Sequence, residues 1–282
     1  MAPPFRFSES TRTLIRLALH EDLSLGDVTT DAIFGPDDHT VARFIAKEPL
    51  VVAGLPVVEE VMREVDADAA FAWHVGDGAS VERGTFGVLR GRVGSLLRAE
   101  RTMLNFMRHL SGVATVTRRY VDALGSDGPA LVDTRKTTPG FRELEKYAVR
   151  LGGGRNHRYN LGSGGMIKNN HISAAGSIAQ AVAKVRDHAP FLTRIEVEVA
   201  NLDELQQALD AGADAVLLDN MTTAQMREAC ALVAGRALVE ASGNITLARL
   251  PELRGIGLDF VSCGAITHSA PNVDISLTFD RP

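Results

Sequence analysis

From about residue 130 onward, short apolar, β-branched runs alternate with segments of helical apolar spacing, at intervals of roughly 20–25 residues. The runs are ALVDT, GMIKNNH, RIEVEV, AVLLDN, ALVEASG and FVSCGA, and between them lie SIAQAVAKVRDHA, LDELQQALDAGA, TTAQMREACALVAG and LARLPELRGIG. Successive βα units of this kind close either into a barrel or into a doubly wound sheet. Charge within the strands separates the two. In RIEVEV, Ile195, Val197 and Val199 share one face while Glu196 and Glu198 share the other. An open parallel sheet is apolar on both faces, whereas a barrel with a site at its mouth accepts polar groups on its inner face. The pattern therefore predicts an α/β barrel of parallel strands.

The first part of the chain reads differently. Residues 9–20 place Leu14, Leu17 and Ala18 at helical spacing behind a capping Ser8. Residues 40–54 and 70–93, rich in Val, Phe and Gly with turn signals, read as short antiparallel strands. From 96 to 123 the pattern is helical, interrupted near Ser111 and Gly112, and the boundary between an N-terminal domain (1–112) and the barrel domain (113–269) is placed there. Composition limits the partners. A net charge of −5 argues against a general nucleic-acid-binding face, so any basic site is local. Two cysteines, Cys230 and Cys263, without paired spacing suggest neither disulfides nor a thiolate metal site and fit a reducing cytoplasm. No run resembles a signal peptide or a membrane span, so neither export nor membrane association is expected.

The strand ends carry the chemistry. Asp133, Arg135 and Lys136 follow the first run, Lys168, Asn169, Asn170 and His171 the second, and Glu198 the third. Asp219 and Asn220, then Glu240, Ser242 and Gly243, then Ser262, Gly264 and His268 follow the rest, while the loop 150–165 adds Arg155, His157 and Arg158. Barrel sites are built at the C-terminal strand ends, so these residues are expected to converge. Clustered Arg and Lys suit a ligand with several carboxylates or phosphates. The carboxylates Glu198 and Asp219 beside them suggest Mg²⁺ completed by phosphate oxygens and water, and the small residues of EASGN and SCGAITHS suit a phosphate. Glu196 reads equally well as a structural partner to a buried lysine. The glycines 152–154 lack the GK[ST] ending of a P-loop and read as a tight turn, the histidines at 20, 39, 74, 109 and 188 are assigned no role, and Cys263 has no base to make it a nucleophile.

The segments DTRKTTPGFRELEKYAVRLGGGRNHR (133–158), MIKNNH (166–171), EVEV (196–199), LLDN (217–220) and VSCGAITHSAPNVDISL (261–277) stand in order with GDVTTDAIF, VVAGL and AERTMLNFMRHLSGVAT. Together they resemble the quinolinate phosphoribosyltransferases, also called carboxylating nicotinate-nucleotide pyrophosphorylases, over nearly the whole chain. The resemblance implies an N-terminal α/β sandwich domain followed by an incomplete α/β barrel, with residues 270–282 returning to the first domain. It implies a homodimer, or a hexamer of dimers, that converts quinolinate and phosphoribosyl pyrophosphate to nicotinate mononucleotide, pyrophosphate and carbon dioxide with magnesium, in NAD synthesis. By motif, Arg135, Lys136, His157, Arg158 and Lys168 hold the quinolinate carboxylates and the pyrophosphate side of the donor, with Lys136 and Lys168 near the decarboxylating carbon. Arg101 resembles the arginine that reaches the partner subunit's site. Glu198 and Asp219 manage the ribose hydroxyls and magnesium, and Ser242, Gly243, Gly264 and His268 surround the 5′-phosphate. Two positions depart from the family pattern, Ser163 and Asn169 standing where aspartate is common. A molybdenum-associated paralogous family shares the fold, and a barrel that only binds an anionic metabolite is the other alternative, but DTRKTTPG and NHR follow the quinolinate enzymes.

Overall fold

The computed structural model describes residues 5–280, which divide into two compact units. The first holds the chain up to Arg118, Thr137–Gly153 and the chain from His268; the second holds Arg119–Lys136 and Gly154–Thr267. The segment Thr137–Gly153, assigned to the barrel domain from sequence, thus belongs with the first unit. Among the described residues no helix is long and apolar enough to cross a membrane.

In the first unit, α1 (Glu9–Leu23) starts where the Ser8 hydroxyl accepts the Thr11 N–H at 3.2 Å, and it buries Ile15 and Leu19. A short α2 (Val28–Ile33) follows, capped by Asp27. The strands β1 (His39–Ala46), β3 (Ala70–Trp73) and β5 (Gly84–Arg92) form an antiparallel sheet, and β2 (Leu50–Val51) pairs with β4 (Ser80–Val81). The last strand, β12 (Ile275–Phe279), pairs antiparallel with β1, so the sheet runs β12-β1-β5-β3 and the end of the chain completes it. Phe44, Phe71, Trp73 and Phe86 pack together on this sheet. The helices α3 (Leu55–Val65) and α5 (Arg142–Leu151) belong to the same unit.

The helix that sequence reading interrupts at Ser111 and Gly112 is continuous: α4 runs from Val93 to Leu124, 32 residues. The two residues are not breaks but points of close approach. The buried Ser111 hydroxyl accepts the Ala53 N–H at 3.0 Å and donates to the Ala53 carbonyl at 3.3 Å. At Gly112, a Cβ would lie 2.1 Å from the carbonyl oxygen of Pro271, so the segment leading into β12 rests on the bare helix backbone. Gly112→Ala is expected to lower stability by about 1–3 kcal/mol, read from denaturant unfolding, because the obstacle is backbone that cannot swing away as a side chain does. A helix-propensity argument predicts the opposite sign.

In the second unit, six parallel strands lie in the order β6-β11-β10-β9-β8-β7: β6 (Ala130–Val132), β7 (Gly165–Ile167), β8 (Ile195–Val199), β9 (Ala215–Asp219), β10 (Leu238–Ser242) and β11 (Phe260–Ser262). Neighbours follow chain order except at β6, whose sheet partner is β11; β6 and β7 do not pair, which leaves an incomplete barrel. The connecting helices are α6 (Asn169–Ala175), α7 (Ile178–His188), α8 (Leu202–Asp210) and α9 (Thr223–Val233), and α10 (Ala265–His268) follows β11. Ser177, Asn201 and Thr222 cap α7, α8 and α9 through side-chain oxygens. These helices bury Ala181 and Val182, Leu205 and Ala208, and Met226, Ala229 and Val233. That is the apolar stripe read from the sequence.

Candidate active site

Parallel strands deliver their C-terminal ends to one rim of the barrel, and the second unit places Lys168, Glu198, Asp219 and Ser242 there, on or just beyond β7, β8, β9 and β10. Lys168 caps α6, and its ammonium group pairs with the Glu198 carboxylate of the adjacent strand. Its counter-charge comes across the sheet, not from the neighbouring positions that depart from the family pattern. At those positions Ser163 closes a turn instead, its hydroxyl accepting the Asn160 N–H at 2.9 Å, and Asn169 is an exposed first residue of α6.

The turns after β9 and β10 are pressed together. Asn220 and Asn244 have φ of 55° and 52° and Gly243 has 87°, all left-handed, and a Cβ on Gly243 would lie 2.2 Å from Asn220 Oδ1. Arg249 ties both turns, donating to the Met221 carbonyl at 2.6 Å and to the Gly243 carbonyl at 3.3 Å, a role sequence reading missed because nothing in LARLPEL distinguishes this arginine. On the other side of the rim the Thr267 hydroxyl donates to the Lys136 carbonyl at 2.7 Å, joining the turn after β6 to α10, which begins just after Gly264. Cys263 is buried beneath, its thiol donating to the Ile245 carbonyl at 3.6 Å and pushed up in pKa by burial, so it is no nucleophile.

The loop 154–164 brings in His157 and Arg158. Fully buried Asp133, at the end of β6, accepts the His157 backbone N–H at 2.9 Å and the Asn156 amide at 2.6 Å. Arg158 donates to the Gly164 carbonyl at 3.1 Å. Burial first, and then the neighbouring charge of Arg135, depress the Arg158 pKa, with Glu196 opposing. Two guanidinium groups held close enough to repel are a site built for an anion.

His157 Nε2 lies 3.2 Å from Glu196 and 3.3 Å from Glu240. Those glutamates stand on β8 and β10, with β9 between them, so their meeting on one imidazole is a consequence of sheet curvature. Glu196 therefore partners a histidine and not the lysine the sequence suggested. Burial is the largest influence on His157 and pushes its pKa down, but the hydrogen bonds and charges of Glu196 and Glu240 outweigh it, to about 9. Burial raises the Glu196 carboxyl, His157 opposes, and Glu240 adds to the rise. The Arg158 N–H points at His157 Nδ1 at 2.7 Å, so that nitrogen is an acceptor and the proton retained by the cluster lies on the Nε2 side, among the two carboxylates. Because the folded protein binds this proton more tightly than the unfolded chain, the contribution to stability is complete below the ordinary histidine value of 6.5 and is lost as pH rises toward about 9. The unfolding midpoint is expected to fall across that window, and His157→Gln to flatten the fall.

A cavity of about 300 Å³ lies beside this cluster, lined by His157, Arg158, Arg194, Glu196 and Glu240 together with the first residues of β9, β10 and β11, and so toward the strand ends opposite Asp219 and Ser242. Two of the expected site residues belong to the first unit. His268 ends α10, its Nδ1 2.7 Å from the Ser269 hydroxyl. Arg101 is exposed on α4 and lines a cavity of about 670 Å³ with Leu14, Leu17, Asn105, Phe106 and His109.

Residues 27–111 match the N-terminal domain, and residues 113–278 the C-terminal domain, of the family described as quinolinate phosphoribosyl transferase. The chain is 43% identical over 267 residues to a probable nicotinate-nucleotide pyrophosphorylase [carboxylating] of Synechocystis, covering 93% of this chain and 90% of the relative. It is 42% identical to the protein of the same name in Bacillus subtilis, over 91% of this chain and 89% of the other. Its backbone is similar to the crystal structure of NadC from Streptococcus pyogenes, with a TM-score of 0.94, 42% identity and coverage of 99% and 100% of the two chains. The nicotinate-nucleotide pyrophosphorylase of Francisella tularensis superposes with a TM-score of 0.92 at 39% identity over 98% of each chain.

Proposed function

Because the chain belongs to the quinolinate phosphoribosyltransferase family, we propose that it joins quinolinate to the ribosyl carbon of phosphoribosyl pyrophosphate, releasing pyrophosphate and carbon dioxide and leaving nicotinate mononucleotide for NAD synthesis. The observation that carries the reading is a rim where opposed cations and carboxylates from successive parallel strands gather around no nucleophile. The reaction needs none. The pyridine nitrogen attacks the anomeric carbon as its bond to pyrophosphate breaks, and the bonding electrons leave with the pyrophosphate. Positioning and charge are what the protein contributes.

Arg135 and Arg158 suit the two carboxylates of quinolinate, since planar guanidinium forks bind carboxylate oxygens bidentately. The quaternised ring then loses the adjacent carboxylate. The C–C bond breaks, its electron pair stays on the carbon beside the positive nitrogen, and that carbon takes up a proton. Lys136 and Lys168 supply positive charge near this carbon. The left-handed turn at Gly243, beside Ser242, and the start of α10 at Gly264 present backbone N–H groups for the 5′-phosphate, with His268 following.

Glu198 and Asp219 fit a hard divalent cation, being oxygen donors on adjacent strands, neither fully buried, and the Lys168 ammonium occupies one Glu198 oxygen and leaves the other. Magnesium bound there neutralises charge on the departing pyrophosphate. In a cytoplasmic homodimer, Arg101 of a second copy completes the cationic set. The test is direct. Purified protein with quinolinate, phosphoribosyl pyrophosphate and magnesium is expected to form nicotinate mononucleotide; absence of product despite quinolinate binding would falsify the reading.

A further inference from the structure

Glu196 and Glu240 take no part in the chemistry above, yet they occupy the most costly positions in the barrel. They are 8% and 5% exposed, on the inner face where branched apolar side chains ordinarily fill the layers of a barrel. Oε1 of Glu240 is buried with no hydrogen-bond partner among the described residues. Replacing a buried ionic cluster with apolar groups of similar volume is often neutral or stabilising, so stability does not account for them. What they do hold is one ring. The His157 backbone is fixed by Asp133, its Nδ1 accepts the Arg158 N–H, and its Nε2 faces both glutamates. The ring cannot turn about its χ2 without losing the carboxylates or the contact to the Arg158 main chain.

We propose that Glu240, acting with Glu196, is a positioning residue for acceptor recognition: it orients the His157 imidazole and, through Nδ1, the Arg158 backbone, so that both face the pyridine diacid. This rests on the substrate reading given above. Glu240 is the better place to test it, since Glu196 lies two residues from Glu198 on the same strand.

The experiment compares wild type, Glu240→Leu and Glu240→Gln by calorimetric titration with quinolinate and, separately, with phosphoribosyl pyrophosphate plus magnesium, alongside thermal unfolding. Leucine fills the volume without charge or acceptor; glutamine keeps an acceptor for the Nε2 hydrogen. For Glu240→Leu the expected result is an unfolding midpoint at or above that of wild type, quinolinate affinity weakened on the order of tenfold or more, and donor affinity within about twofold. Glu240→Gln should lie between, at about threefold for quinolinate. Quinolinate affinity within twofold of wild type in folded Glu240→Leu, or equal weakening toward both substrates, overturns the proposal. If Glu240→Leu does not fold, Glu240→Gln decides by the same split, an unchanged quinolinate affinity counting against. A wild-type protein that binds no quinolinate overturns the substrate reading as well, whereas normal wild-type binding with undisturbed variants overturns only the role of Glu240.

Discussion

Arg135→Ala is expected to weaken quinolinate binding by about a hundredfold while leaving the unfolding midpoint essentially unchanged. The size follows from removing one partner of a charged contact, which costs about 2–5 kcal/mol, where 1.4 kcal/mol is a factor of ten. The sign on stability follows from the surroundings. Arg135 stands in the turn after β6, near enough to Arg158 to depress its pKa, so taking one cation away relieves repulsion in the empty protein even as it removes half of the anion's grip. Equilibrium titration with quinolinate and a thermal melt separate the two effects. An affinity unchanged from wild type would mean that the acceptor lies elsewhere on the rim.

Glu198→Gln is expected to lower kcat by about two to three orders of magnitude, with a smaller change in the quinolinate KM. The carboxylate serves twice: as an oxygen donor suited to the divalent cation and as the partner that fixes the Lys168 ammonium. Asp219→Asn distinguishes the two roles, because no ion pair in the structure engages Asp219. If the metal is what matters, both variants lose rate and need more magnesium to recover part of it. If Lys168 orientation is what matters, Asp219→Asn stays near wild type. Initial rates across a magnesium titration read out both.

Much of the second unit was legible in the chain. Alternating β-branched and helical segments fixed the order of its strands, and the two-residue period placed Glu196 and Glu198 on the face opposite Ile195, Val197 and Val199 before any coordinates were seen. What escaped depends on contacts between distant segments. The partner of Glu196 is His157, 39 positions earlier, and the third member sits two strands away on β10, so only the curvature of the closed sheet makes the cluster. Glu240 carried the same local signal as Glu196, a carboxylate inside an apolar strand, and that signal was the one available. Ser111 and Gly112 misled for a related reason. Local chemistry marks them as helix interruptions, whereas a neighbouring backbone uses them as a seat. Near Lys168 the sequence directed attention to Ser163 and Asn169 along the chain, while the compensating charge was supplied laterally by β8.

The unpaired edges β6 and β7 have a consequence for how the catalytic unit moves. Every ladder from β7 round to β6 locks its strands against neighbours, so strand ends such as those of Glu198, Asp219 and Ser242 shift only by breaking sheet hydrogen bonds. The turn bearing Arg135 and the loop bearing Arg158 flank the open seam, tied to it mainly by the single bridge between Val132 and Arg155. The donor and metal side of the reaction is thus mounted on a rigid frame, and the acceptor side on a compliant one. Entry of a flat aromatic diacid and escape of the smaller product and gas therefore fall to the seam, with no need for the frame to open.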